Sequence, residues 1–171
     1  TIAGGKLVNP IGRKVKRRSG DLERLAVLAC GASEAILLAQ LELAGNAGLS
    51  AAQLKILTDL EGKALDKMLA DLGGKQKLFL IDREARIYVS GVLAENLVSS
   101  LEGSLAEFHK REPMKQGVSK GGLASTWGRN LPPRLFHFIL ERALRKGLMV
   151  AEQEILRLAG HKVSLASDTA L

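Results

Sequence analysis

The sequence predicts a mainly α-helical chain with small β wings, in which one order of elements occurs twice. Three observations carry that expectation. A long amphipathic pattern ends at Arg111, and Pro113 opposes its continuation because proline lacks an N–H and clashes with the preceding turn. Ser119 then offers a cap before Leu123, Ala124 and Trp127; Pro132-Pro133 open another helix ending at Gly147; and two short apolar runs follow, 148–150 and 155–158. Residues 21–90 give the same order in a plainer form. Helix, linker, helix, turn, helix and a two-stranded hairpin is the winged-helix order. The fold class is therefore two tandem winged-helix domains, helix-turn-helix plus β-hairpin, at residues 21–91 and 92–171 behind a leading segment of residues 1–20.

The elements follow in chain order. Residues 1–10 begin without Met and read as a strand, a tight Gly4-Gly5 turn and a second short strand, the last edge of a preceding domain or a proteolytically trimmed segment. A basic arm comes next. Asp21 is placed as the cap of the first helix, with Glu23 in its first turn and Leu22, Leu25, Ala26 and Ala29 as its apolar stripe. Ser33 is expected to cap a stronger helix reaching Leu43, with Ile36, Leu37, Ala39, Leu41 and Leu43 mostly inside and Gly45 and Gly48 ending it. Ser50-Ala51-Ala52-Gln53 has the capping-box pattern for a helix carrying Leu54 and Leu57. The third helix starts near Glu61, buries Leu65, Met68, Leu69 and Leu72, and stops at Gly73-Gly74. Residues 77–81 and 86–89 alternate like a hairpin around Asp82-Arg83-Glu84-Ala85.

The second domain opens with a helix over 92–110 whose inner stripe is Leu93, Leu97, Leu101, Leu105 and Phe108. Gly121-Gly122 is a local weakness in the next helix, costing roughly 1 kcal/mol per glycine in a helix interior. The helix over 133–146 is expected to bury Leu135, Phe136, Ile139, Leu140 and Ala143 or Leu144, and to expose Arg134, His137, Glu141 and Arg145. Trp127 falls on an apolar stripe and is expected inside. Val89-Ser90-Gly91-Val92 leaves little flexible chain between the domains, so a continuous rod is expected.

Charge is unevenly placed. The net charge of +7 divides into +6 for residues 1–20, −2 for 21–90 (eight basic, ten acidic) and +3 for 91–171 (eleven basic, eight acidic). The arm Arg13, Lys14, Lys16, Arg17 and Arg18 either neutralises nucleic-acid phosphates or is a solvated linker that keeps two domains apart. In a helix-turn-helix the exposed side of the third helix enters a groove. Here that side offers Lys63, Asp66, Lys67, Ala70 and Asp71, a self-paired face whose aspartates repel phosphate. Arg134 can reach a phosphate from its helix start, but Glu141 occupies the middle of the same face, which reads as a partner-helix or solvent surface.

Catalysis and metal binding find little support. The chain has no G-x-x-x-x-G-K-[ST] loop, no H-E-x-x-H and no G-x-S-x-G, so no enzyme is expected in these residues. His109, His137 and His161 are widely separated and unaccompanied, and each is read as structural or surface rather than a metal ligand. The single cysteine, Cys30, excludes an internal disulfide, fits a reducing compartment and is expected to be a small buried hydrophobe. Glu34 and Glu42 interrupt the richest apolar region, so it reads as a core helix and the protein as soluble and cytoplasmic.

Several stretches resemble a known family. Gly4-Gly5-Lys6-Leu7-Val8-Asn9-Pro10 with the arm resembles the junction after the last β-barrel of the bacterial selenocysteine-specific translation elongation factors (SelB). Phe108-His109, Glu112-Pro113-Met114, Gly117, Lys120 and Leu123 are similar to that family's second C-terminal winged helix. So are Leu131-Pro132-Pro133-Arg134-Leu135-Phe136 and Leu158-Ala159-Gly160-His161-Lys162. Gly121-Gly122 departs from the acidic residues usual there, and nothing follows Leu171.

The resemblance implies a specific arrangement. In that family a GTPase domain and two β-barrels bind GTP, with Mg, and selenocysteinyl-tRNA. A rod of four winged helices follows, and the last grips the messenger-RNA hairpin that marks a UGA codon. Residues 1–20 would be the remnant of the preceding β-barrel plus the arm, and the rest the first two winged helices, with no cofactor of their own. They would be a monomeric spacer away from any membrane. The ribosome, the tRNA and the hairpin would be partners through the parent protein; none of that family's RNA-contact residues has a matching position here, and the weak non-specific RNA binding expected at Arg13, Lys14, Lys16, Arg17, Arg18 and Arg134 rests on their charge. The alternatives are a DNA-binding transcription regulator, which should show several Arg, Lys, Asn or Gln on its third helix, or a protein–protein adaptor.

Overall fold

The structure, a computed structural model, describes Gly4 and residues 20–160. It divides into two compact units between Ala94 and Glu95. The strand pair expected in residues 1–10, the basic arm, and the matched positions His161 and Lys162 lie outside the described residues.

The first unit contains α1 (Asp21–Cys30), α2 (Ser33–Ala44), β1 (Leu49–Ser50), α3 (Ala51–Thr58), α4 (Gly62–Gly74), β2 (Leu78–Asp82) and β3 (Ile87–Ser90). Gly20, not Asp21, holds the N-cap position of α1. The inward face of α1 also differs from expectation. Leu28 is buried and Leu25 half-buried, whereas Ala26, Ala29 and Cys30 are exposed. The physical reason is that, among the described residues, α1 packs chiefly on α2, and its larger side chains take that side. Cys30 ends the helix on the open side and is not the core residue expected. Arg24 of α1 donates to Glu42 of α2 at 2.5 Å.

Ser33 does not cap α2; Ala32 holds the N-cap position without a side-chain bond, and Ser33 is the first helical residue. Leu37, Ala39 and Leu41 are buried as expected, together with Gln40. Gly45 ends the helix at φ 59, in the left-handed region that glycine reaches without strain. The capping box of α3 is complete: Gln53 N–H donates to Ser50 Oγ at 3.2 Å, and Ser50 N–H to Gln53 Oε1 at 2.9 Å. The core joins Leu37 and Leu41 of α2, Leu54 of α3, and Leu65, Leu69 and Leu72 of α4 to Leu78 and Tyr88 of the hairpin. The sheet has three strands, ordered β1-β3-β2. The sequence reading missed β1 because two residues cannot show an alternation. Asp82 Oδ1 accepts from Glu84 and Ala85 N–H at 2.9 and 3.0 Å and closes the hairpin turn.

The second series is α5 (Gly91–Arg111), β4 (Val118–Ser119), α6 (Lys120–Ser125), α7 (Pro133–Arg145), β5 (Met149–Glu152) and β6 (Ile155–Leu158). Its sheet, ordered β4-β6-β5, repeats the first. The buried stripe of α5 is Ala94, Val98, Leu101, Leu105 and His109. Leu93, Leu97 and Phe108, expected inside, are half-buried, because the stripe is centred one residue further round the helix. His109 Nε2 accepts the Leu158 N–H at 3.3 Å, which ties α5 to the end of β6. Ser119 caps α6, its Oγ accepting from Gly122 N–H at 3.1 Å. Pro133 starts α7, which buries Leu135, Phe136, Ile139, Leu140 and Ala143, as its pattern predicts. Trp127 is half-buried rather than inside. Its ring meets Phe136 at a 6.2 Å centroid distance, and its Nε1 stays near the surface, donating to Ser100 Oγ at 3.1 Å.

Candidate nucleic-acid interface

A helix-turn-helix offers its third helix and its wing as the natural contact surface. In the first unit that helix is α4, and Lys63, Asp66, Lys67, Ala70 and Asp71 are all exposed on it. Asp66 is paired across to the wing: Arg86 Nη2 donates to its Oδ1 at 2.6 Å. The Asp66 bond holds the Arg86 guanidinium above its usual range, with Tyr88 adding to it. An arginine occupied by a carboxylate is a poor phosphate ligand, so the junction of helix and wing is self-satisfied.

In the second unit the corresponding helix is α7. Arg134, His137, Glu141 and Arg145 are exposed, and Arg145 pairs with Glu141 at 3.4 Å. On its flank Arg142 donates to Glu95 of α5 at 2.5 Å, and Lys146 pairs with the other oxygen. These two cations, Lys146 first, hold the Glu95 carboxyl below the usual carboxylate range against the opposing effect of burial. The wing carries its own pair, Arg157 to Glu152 at 2.5 Å. Of the residues expected to touch RNA, only Arg134 falls in the described structure, exposed in the first turn of α7. The five arm residues do not.

Beside Arg134 lies a cleft of about 440 Å3 that the sequence reading did not identify. Apolar atoms of Ala124, Leu131, Pro133 and Phe136 line it, with Lys120 and Arg129 exposed at its margins and Glu154 of the wing turn opposite. The available signals were Gly121 and Gly128. A Cβ on Gly121 would meet nothing within 4 Å, which leaves the cleft open there. A Cβ on Gly128 would meet the Phe136 ring at 2.6 Å, so only glycine lets that turn close over the ring. Among the described residues no three His, Cys, Asp or Glu side chains could hold a metal, and no helix is long and apolar enough to cross a membrane.

Two sheets of identical strand order, each fed by helices in the same sequence, define a tandem winged-helix protein. Residues 103–158 match the family model described as elongation factor SelB, winged helix. Over 168 residues, 98% of its length, the chain is 49% identical to a selenocysteine-specific elongation factor of Desulfomicrobium baculatum. It spans 26% of that relative. The chain therefore belongs to the SelB family of elongation factors, as a winged-helix portion of it.

Proposed function

We propose that this chain is the winged-helix spacer of a GTP-dependent elongation factor that incorporates selenocysteine at UGA codons. It sets the distance and angle between a body that binds GTP and selenocysteinyl-tRNA and a tip that binds the messenger-RNA hairpin. The observation that carries this reading is the acid–base pairing at the middle of each third-helix surface. Asp66–Arg86 and Glu141–Arg145 occupy the positions where a sequence-reading helix would present free donors to base edges. A DNA-binding regulator is for that reason not favoured.

No phosphate loop occurs in these residues, so GTP and Mg belong to other parts of the protein, and this portion performs no catalysis. The protein is cytoplasmic, works on the ribosome, and is a monomer. RNA contact by this portion is weak and goes to the sugar–phosphate backbone, through Arg13, Lys14, Lys16, Arg17 and Arg18 of the arm and through Arg134.

The test is a titration of a labelled selenocysteine hairpin and a scrambled hairpin at two salt concentrations. Equal affinities that fall steeply with salt are expected, because neutralising phosphates releases counterions without reading sequence. Alanine at the five arm positions should remove most of the hairpin affinity. Salt-resistant, sub-micromolar preference for the true hairpin would overturn the spacer reading (about −8 kcal/mol or better by affinity arithmetic).

A further inference from the structure

We propose that the cleft between α6 and α7 of the second unit is a binding site for a single-stranded RNA nucleotide, whose base enters the cleft and whose flanking phosphates meet Lys120 and Arg129. The inference rests on the reading above that this portion touches RNA, and it deepens that reading by giving the contact a place and a chemistry.

Charge favours this surface. Residues 91–160 carry ten basic and seven acidic side chains, a net +3. Most of the acids there are answered: Glu95 by Arg142 and Lys146, Glu112 by Lys115, Glu141 by Arg145 and Glu152 by Arg157. Lys120 and Arg129 are exposed and make no ion pair among the described residues. They flank the same opening, with Arg134 one residue beyond Pro133 on its wall. One acid, Glu154, faces them, and its main-chain carbonyl accepts the Lys120 N–H at 2.9 Å.

The interior has the complementary property. A duplex meets a protein through its phosphates and needs no apolar recess, whereas an unstacked base needs a surface to lie on. The recess is about 440 Å3 and mainly apolar, with the Pro133 ring and Leu131 on its wall. Gly121 keeps it open: a side chain there would project into space that the structure leaves unfilled. An arginine at the margin can also stack on a base as well as pair with a phosphate.

The experiment uses the full chain, labelled with nitrogen-15, and three probes: an eight-nucleotide single-stranded RNA, a blunt RNA duplex, and an acidic peptide containing leucine. The single strand should shift the amides of Gly121, Ala124 and Gly128. Gly121→Leu, whose Cβ meets no neighbour within 4 Å at the cleft's edge, should weaken single-strand binding roughly 3–10-fold. The double variant Lys120→Ala/Arg129→Ala should reduce the salt slope by roughly 1.4, the share of two single-strand phosphates. Shifts at the cleft should persist when the five arm residues are alanine.

Equal shifts from the duplex would overturn the proposal and leave a phosphate contact only. Shifts from the peptide but not from the single strand would overturn it in favour of a protein-docking groove. Loss of the cleft shifts in the arm variant would overturn it while leaving the arm as the RNA contact. Undiminished hairpin binding in that same variant, with the cleft shifts intact, would instead overturn the arm and leave the cleft.

Discussion

Gly121 and Gly128 lie seven residues apart in the second unit and do opposite work. Gly128 is buried, and a Cβ there would come within 2.6 and 2.7 Å of two Phe136 ring atoms. Phe136 is itself packed and cannot withdraw cheaply. Gly128→Ala should destabilise the second unit by about 1–3 kcal/mol, the usual cost of overpacking. Gly121→Ala meets no neighbour and replaces the poorest ordinary helix former, so its melting temperature should stay or rise, by up to about 1 kcal/mol in stability. Thermal unfolding of the two variants side by side checks both signs. Glu95 supplies a pH-dependent case. Its carboxyl is held below the ordinary value of 4.5 by Lys146 and Arg142. A depressed carboxylate pKa contributes stability that is present above the unfolded pKa and lost as pH falls through the folded one. Glu95→Gln should therefore cost on the order of 1 kcal/mol near pH 7, discounted for its 43% exposure. That cost should vanish in melts carried out at acid pH below the lowered pKa. A pH-independent cost would mean that packing, not charge, was lost.

At the scale of the element, the three-strand sheets depend on residues that say little on their own. β1 is two residues long, yet Leu49 and Ser50 pair with Tyr88 and Ile87 of β3, and Ser50 then caps α3. One serine ends a strand and starts a helix. Ser50→Ala removes the acceptor for Gln53 N–H and should cost about 1 kcal/mol. Ser50→Asp, which can still accept that bond, should recover most of it in denaturant melts. Gly48 precedes the strand at φ 65, and a Cβ there would meet the Tyr88 carbonyl oxygen at 2.6 Å. The same device recurs at Gly117, before β4, where a Cβ would strike the Leu156 carbonyl oxygen. The recurrence marks the two units as copies of one design, in which glycine lets the chain approach the middle strand edge-on.

For the whole molecule, the proposed RNA contacts divide between the described units and the arm. The arm holds five of the chain's cations within residues 13–18, and the described units keep at least nine of their eighteen in ion pairs. Hairpin affinity should therefore respond to salt and to the arm far more than to the exposed faces of α4 and α7. Lys63→Ala with Lys67→Ala should change it less than two-fold, read by the same titration, since each adjoining aspartate already opposes phosphate. A loss comparable to that of the arm variant would make α4 an RNA-reading helix.

The sequence by itself determined the helices, their order and their repetition, because periodic burial and capping chemistry are local. Ser50-x-x-Gln53, Ser119, Pro133 and the α7 stripe all stand where the residues alone place them. It also determined the family, through motifs spread over 108–162. Tertiary structure decided what depends on a distant partner. Cys30 is exposed because α1 packs chiefly on α2 among the described residues, Trp127 is half-buried because its nitrogen finds Ser100, and Arg86 is occupied because Asp66 lies across the wing. The cleft beside Arg134 was decided in the same way. It exists where Gly121, Leu131, Pro133 and the wing turn converge, and no local pattern records a space left between elements.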